Sequence, residues 1–195
     1  MSAALIVLAI VAVVAFAAIA VYNGLVARRN GYRNAFSQID VQLKRRHDLV
    51  PNLVESARAY LAHERETLDA VVRARGQAAS AVQRAATAPG DPQAMRALAG
   101  AEAALSGSLA RLVAVVEAYP DLKASATMGQ LMEELASTEN RIAFARQAYN
   151  DAVMSYNVAR ESFPGTLVAG SFGFLEAAVY EAASAAERAP VKVSF

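Results

Sequence analysis

Residues 1–27 read MSAALIVLAIVAVVAFAAIAVYNGLVA, a run without one charged side chain. About 20 apolar residues rising 1.5 Å each match a hydrocarbon core of about 30 Å, so this run is long enough to cross a bilayer as a single helix. Tyr22 and Asn23 mark its interface, and Arg28, Arg29 and Arg33 follow directly. A long apolar stretch with no basic segment before it reads as a retained anchor rather than a cleaved leader. Because the flanking cations all lie at the C-terminal end of the span, the positive-inside rule predicts an outside N-terminus and a cytoplasmic domain. The expected organisation is an anchor over 1–27, a helical bundle over 28–188 and a C-terminal tail over 189–195.

Beyond the anchor the chain is long enough for one domain with its own core. The formal net charge is +1, which gives no global field for nucleic acid, and none is expected as a partner. Charge is unevenly spread: residues 28–75 carry ten Lys/Arg against six Asp/Glu, and residues 76–195 carry nine against twelve. The basic half therefore adjoins the membrane, where cations favour anionic lipid. The absence of cysteine excludes disulfide stapling and thiolate chemistry.

Outside the anchor every strong period is helical. Ile39 and Leu43 begin an apolar stripe that resumes at Val50, Leu53, Ala57 and Leu61, then at Leu68, Val71, Ala79 and Val82. Pro51 interrupts it and predicts a kink or a restart, with Asp48 as the new N-cap. Pro89-Gly90-Asp91-Pro92 is a strong turn. A second helix is predicted from Pro92 to about Tyr119. A third carries Met128, Leu131, Leu135, Thr138, Ile142, Ala145, Tyr149, Ala152 and Tyr156 in steps of three and four. Phe163-Pro164-Gly165 should end helical order. Leu167, Phe172 and Phe174 should plug the end of the bundle, and a last short helix is expected over 175–188. The fold class is all-α: an N-terminal transmembrane helix followed by an antiparallel bundle of long helices with a short C-terminal helix.

The densest polar run is Asp40-Val41-Gln42-Leu43-Lys44-Arg45-Arg46-His47-Asp48, in which Lys44 and Asp48 form an i,i+4 pair of the less favourable orientation. The only histidines, His47 and His63, lie sixteen residues apart, about 24 Å along one continuous helix, too far for one metal ion. His63-Glu64 lacks the second histidine of H-E-x-x-H, and both histidines are expected at the surface or against a partner. Gly170-Ser171-Phe172-Gly173 is not a nucleophile elbow. No catalytic residue, metal ligand or cofactor-binding residue is assigned. The predicted interaction surface is Gln38, Asp40, Lys44, Arg45, Arg46, His47, Asn52, Glu55 and Glu64, whose polar density exceeds what helix packing requires. Small residues in the anchor, including Gly24, permit close helix approach in lipid and hence self-association into a homo-oligomer.

Two blocks of residues carry a resemblance. Tyr22-Asn23-Gly24-Leu25-Val26-Ala27-Arg28-Arg29-Asn30 leads into Ala35-Phe36-Ser37-Gln38-Ile39-Asp40-Val41-Gln42-Leu43-Lys44-Arg45-Arg46-His47-Asp48-Leu49-Val50-Pro51-Asn52-Leu53-Val54-Glu55. Tyr60-Leu61-Ala62-His63-Glu64, Tyr156-Asn157, Phe163-Pro164 and Phe172-Gly173-Phe174 complete it. Nearly the whole chain resembles the LemA family of bacterial proteins. It departs from the family pattern at Gly31, where an apolar residue is usual, and at Tyr180-Glu181, where Phe-Glu is customary. The resemblance implies one N-terminal membrane span at the inner membrane, a bundle of long helices, no agreed enzymatic activity and no cofactor. Family members often occur beside membrane-quality-control proteases, which suggests a scaffold or adaptor at a membrane, with a membrane protein or membrane protease as partner; a modulator of lipid binding or membrane remodelling and an unrecognised hydrolase are the alternative readings. The motif positions it carries over are Gln38, Asp40, Arg45, Arg46, Pro51, Asn52, Glu55 and Glu64, without catalytic roles.

Overall fold

The computed structural model describes residues 2–61 and 63–181. Helix α1 (Ser2–Arg58) is continuous for 57 residues, about 86 Å at the usual rise. It is followed by α2 (Arg65–Thr87), α3 (Pro92–Ala118), the single turn α4 (Pro120–Lys123), α5 (Ala126–Glu161) and α6 (Gly165–Phe172). Short connections reverse the chain between α1 and α2 and between α2 and α3. Helix α5 runs antiparallel to α1, as shown by Tyr32 against Tyr156, Phe36 against Tyr149 and Arg46 against Glu139. The result is an antiparallel four-helix bundle in which α1 packs on α2 and α5, and α2 packs on α3.

The helix boundaries follow from local chemistry. Asp91 caps α3 by accepting a hydrogen bond from the Ala94 amide at 2.8 Å, with Pro92 beside it in the first turn, where a missing amide hydrogen costs nothing. Ser125 accepts from the Met128 amide to start α5. Gly173, at φ +68°, closes α6 in the left-handed conformation that glycine tolerates best.

Three expectations are corrected. Helix α1 passes through Pro51 without a restart, so Asp48 is an interior residue and not a cap; the break falls instead between Arg58 and Arg65. Helical order resumes after Pro164 in α6. The predicted helix over 175–188 is not formed in residues 175–181, which carry no regular secondary structure. Its remainder, 182–188, and the tail over 189–195 lie outside the described residues.

Among the described residues, α1 and α3 are long and apolar enough to cross a membrane. The apolar part of α1 has no protein cover, whereas α3 buries Met95, Leu98, Leu105, Leu109 and Leu112 within the bundle. From Leu25 onward α1 becomes the central helix of the core. An anchor-proximal apolar cluster gathers Leu25, Tyr32, Phe36, Ile39, Leu43, Tyr149 and Tyr156. A distal one gathers Val50, Leu53, Leu61, Leu105, Leu112 and Met128.

Candidate interaction site

Between the two apolar clusters lies a polar layer. The α1 seam Ile39, Leu43, Arg46, Val50, Leu53, Ala57 steps by four and three, and its one polar member is Arg46. The α3 seam Met95, Leu98, Glu102, Leu105, Leu109 has Glu102 at the equivalent place, and the α5 seam has Thr138. These residues, with His47, are the buried polar and charged residues among those described. The Arg46 side chain is 2% exposed. Its Nη2 donates to Glu102 Oε2, its Nη1 donates to Glu139 Oε2 at 2.5 Å, and Nη1 also reaches Ser106 Oγ at 3.2 Å. His47 Nε2 lies 2.9 Å from Glu102 Oε1, so both oxygens of this carboxylate are engaged. Burial by itself lowers the Arg46 pKa, but the carboxylates of Glu102 and Glu139 outweigh it and hold the guanidinium above its ordinary value.

Pro51 explains one further partner. Lacking an amide hydrogen, it cannot bond the carbonyl of His47, four residues earlier. Arg75 on α2 takes that place: its Nε donates to the His47 carbonyl oxygen at 2.7 Å. Removing this donor leaves a partly buried carbonyl unsatisfied, so Arg75→Leu should cost about 1–3 kcal/mol. In a Pro51→Ala background the new amide can bond the same oxygen, and the cost of Arg75→Leu should shrink. Urea unfolding of the parent and the three variants measures the coupling; strictly additive costs would refute the capping role.

The predicted interaction residues separate into two sets. Gln38, Lys44, Arg45, Asn52 and Glu55 are exposed, and Asp40 and Glu64 are half-buried. Arg46 and His47 are buried in the polar layer and cannot belong to a free surface. The expectation of a surface His47 is therefore corrected, whereas His63 is exposed. Lys44 pairs with Asp40 at 2.6 Å rather than with Asp48, giving the orientation with the acid N-terminal to the base. Gln38, Val41, Arg45, Asp48, Asn52 and Glu55 are all exposed and recur in steps of three and four. They form one outward stripe along α1, opposite its seam. The alternation of one buried and one exposed stripe is what divides Arg46 from Arg45.

Sequence reasoning missed a second arrangement. Asn150 and Asn157 on α5 each make two hydrogen bonds to the backbone of the non-helical segment after α6. Asn157 donates to the Ala177 carbonyl and accepts from the Ala177 amide, at 2.8 and 3.1 Å. Asn150 does the same at Tyr180, at 3.2 and 2.7 Å. The hydroxyls of Tyr156 and Tyr149 donate to the carbonyls of Leu175 and Ala178, both at 2.8 Å. Burial pushes the Tyr149 phenol well above its ordinary value, with Tyr32 adding to the shift. The repeated Tyr-Asn pair, seven residues apart, is the sequence signal that could have revealed this clamp. The clamped segment brings Tyr180 to a cleft of about 340 Å³ whose wall includes Arg46, Glu102, Glu139 and Arg146.

Comparison with known proteins accords with this architecture. The LemA family model matches residues 35–195. Two magnetosome proteins of Paramagnetospirillum magneticum, MamQ 1 and MamQ 2, are each 30% identical to this chain, in alignments covering 91% of it and 72% of the relative. The magnetosome protein MamQ of Magnetospirillum gryphiswaldense is 29% identical over 78% of this chain and 62% of its own length. With most of the bundle matched, and the relatives aligned over most of the chain, this protein belongs to the LemA family.

Proposed function

We propose that this protein is a membrane-anchored scaffold or adaptor without catalysis of its own, which presents the outward stripe of α1 to a protein partner at the bacterial inner membrane. The observation that carries this reading is the continuity of α1. The apolar run and the central helix of the bundle are one uninterrupted element from Ser2 to Arg58, so the exposed stripe stands at a fixed height and inclination relative to the anchor. A span joined through a flexible linker would transmit neither. The stripe mixes Arg45, Asp48, Asn52 and Glu55, which the core does not use. Such a surface suits a polar, charge-complementary partner, and rim charges of this kind set specificity and approach rate more than raw affinity. A membrane protein, a membrane protease among them, or a second copy of the chain fits these terms. Arg28, Arg29 and Arg33 support a cytoplasmic bundle by the positive-inside rule; protection of the bundle from protease added outside spheroplasts is the expected result, and ready digestion there would reverse the orientation.

The test is site-specific photo-crosslinking of the full-length protein in its native membrane. A photoreactive side chain at Arg45 or Asn52 should capture a defined partner, and one at exposed Gln77 on α2 should not. Arg45→Ala should change stability by no more than about 0.5 kcal/mol and should weaken capture from Asn52. Identical capture profiles at Asn52 and Gln77 would remove the basis for the proposal.

A further inference from the structure

Helix α6 carries apolar side chains on its exposed side as well as on its buried side. Its sequence is GTLVAGSF, with Thr166 and Ser171 as its only polar side chains. The inner face buries Gly165, Val168 and Ala169, and contacts from α1 and α5 hold the helix in place. The outer face leaves Leu167 and Phe172 63% and 64% exposed, and the flanking Phe163 and Leu175 are 80% and 81% exposed. The expectation that Leu167 and Phe172 plug the bundle is thereby corrected; of the three residues named, Phe174 alone is buried. The large side chains of the α1 apolar run, from Leu5 to Ile19, show a similar exposure of 58–76%. Thr166 and Ser171 are exposed as well, with the Ser171 hydroxyl turned back onto the Leu167 carbonyl, but large apolar side chains clustered at a surface mark contact with a partner or with lipid.

Position decides between these. The Phe172 and Phe174 rings meet Tyr22 edge-on, with centroids at 5.1 and 5.4 Å. Phe163, Pro164 and Gly165 share a cleft with Ala20, Val21 and Gly24. Tyr22 precedes Arg28, the first charged residue of the chain, by six residues, about 9 Å on the lipid side of that charge. Helix α6 is thus level with the end of the uncharged run, the depth at which amphipathic rings gather in membrane proteins. The nearest cations suit the headgroups just above: the Arg29 guanidinium stands 5.0 Å from the Phe174 ring centroid.

We propose that α6, with Phe163 and Leu175, is a second membrane contact that seats its outer side chains in the acyl–headgroup boundary beside the span. This rests on the reading of α1 as membrane-spanning. A helix lying in that boundary with its apolar face buried is a known mode of membrane attachment. Because α6 lies to one side of α1, the second contact fixes the rotation of the bundle about its anchor, which a lone helix leaves free.

The chain contains no Trp, so single substitutions give unambiguous fluorescence reporters. Full-length Leu167→Trp and Phe172→Trp are reconstituted in phospholipid vesicles carrying brominated acyl chains. Phe16→Trp reports the span. Phe144→Trp, 74% exposed on α5 and about 26 Å from the end of that helix, reports water. The expected result is blue-shifted emission at positions 167 and 172, quenched most by bromine near the headgroup end of the chain, with position 16 quenched most by deep bromine and position 144 unquenched. Quenching at 16 but none at 167 or 172 would overturn the proposal and leave the span intact. No quenching at 16 would overturn the span itself and the proposal with it. Blue-shifted emission at 167 and 172 that bromine does not quench, and that reddens as excess lipid dilutes the protein, would assign the face to a second copy and also overturn it.

Discussion

Glu102→Gln should lower the unfolding free energy of the bundle by about 3 kcal/mol, near the lower end of what breaking a buried ion pair costs. The substitution keeps the shape and removes the charge that faces Arg46. The guanidinium sits with its side chain 2% exposed and cannot regain water unless the interface between α1, α3 and α5 opens or the segment carrying Tyr180 leaves. Glu139 still compensates it in part, at 2.5 Å, which keeps the expected loss from being larger. Glu139→Gln is the informative contrast. Its carboxylate is 55% exposed, so solvent already screens it, and its removal should cost about 1 kcal/mol or less. Replacing the pair together, as Arg46→Met with Glu102→Leu, should recover most of the loss, because two buried charges and their desolvation disappear at once. Urea unfolding of the full chain in detergent, followed by circular dichroism, measures all three variants against the parent. Equal costs for Glu102→Gln and Glu139→Gln would mean that burial is not what makes this pair matter. The layer also has a positional role: a single charge on each of the α1 and α3 seams penalises any slip that would bring Arg46 or Glu102 against leucine.

Much of this was legible in the chain. The apolar stripes of α2 and α5 predicted most of their buried faces, because period alone decides which side of a helix meets its neighbour. The polar layer was visible as a defect. The α1 stripe lapses between Leu43 and Val50, and position 46 falls on the seam in that gap. Read together with Glu102 and Thr138 at the corresponding gaps, the lapse marks a buried ion pair rather than a surface. What remained illegible depended on distant partners. Pro51 breaks an isolated helix, but here Arg75 from α2 supplies the donor that the helix lacks. Residues 175–181 have helix-compatible composition, yet α5 offers them backbone partners that a non-helical chain alone can use. Tertiary hydrogen bonds override local propensity in both places.

That competition makes the second large effect predictable. Asn150→Leu together with Asn157→Leu should release residues 175–181 from the bundle. Seven residues of helix advance about 10.5 Å, and three residues of extended chain advance about 10 Å, so side chains two turns apart on α5 can grip the backbone at Ala177 and again at Tyr180. The other edge of the segment is held by the Ala178 amide donating to the Gly90 carbonyl at 2.8 Å. Each asparagine should contribute about 1–3 kcal/mol to docking, since its loss strands a donor and an acceptor at once, and this corresponds to roughly 5- to 150-fold faster amide exchange at Ala177 or Tyr180. Asn157→Asp keeps the oxygen that accepts from Ala177 and loses the donor, so its effect should be intermediate. Hydrogen exchange read by mass spectrometry resolves these cases, and unchanged exchange over 175–181 in the double variant would show that packing, not the clamp, holds the segment. Release has a consequence at the polar layer as well. Tyr180 shares a cleft with Arg46, Glu102 and Glu139, so freeing it admits water to the guanidinium. The cost of Glu102→Gln should therefore fall in the clamp-free background, and a cost that stays the same would show that the segment does not shield the buried pair.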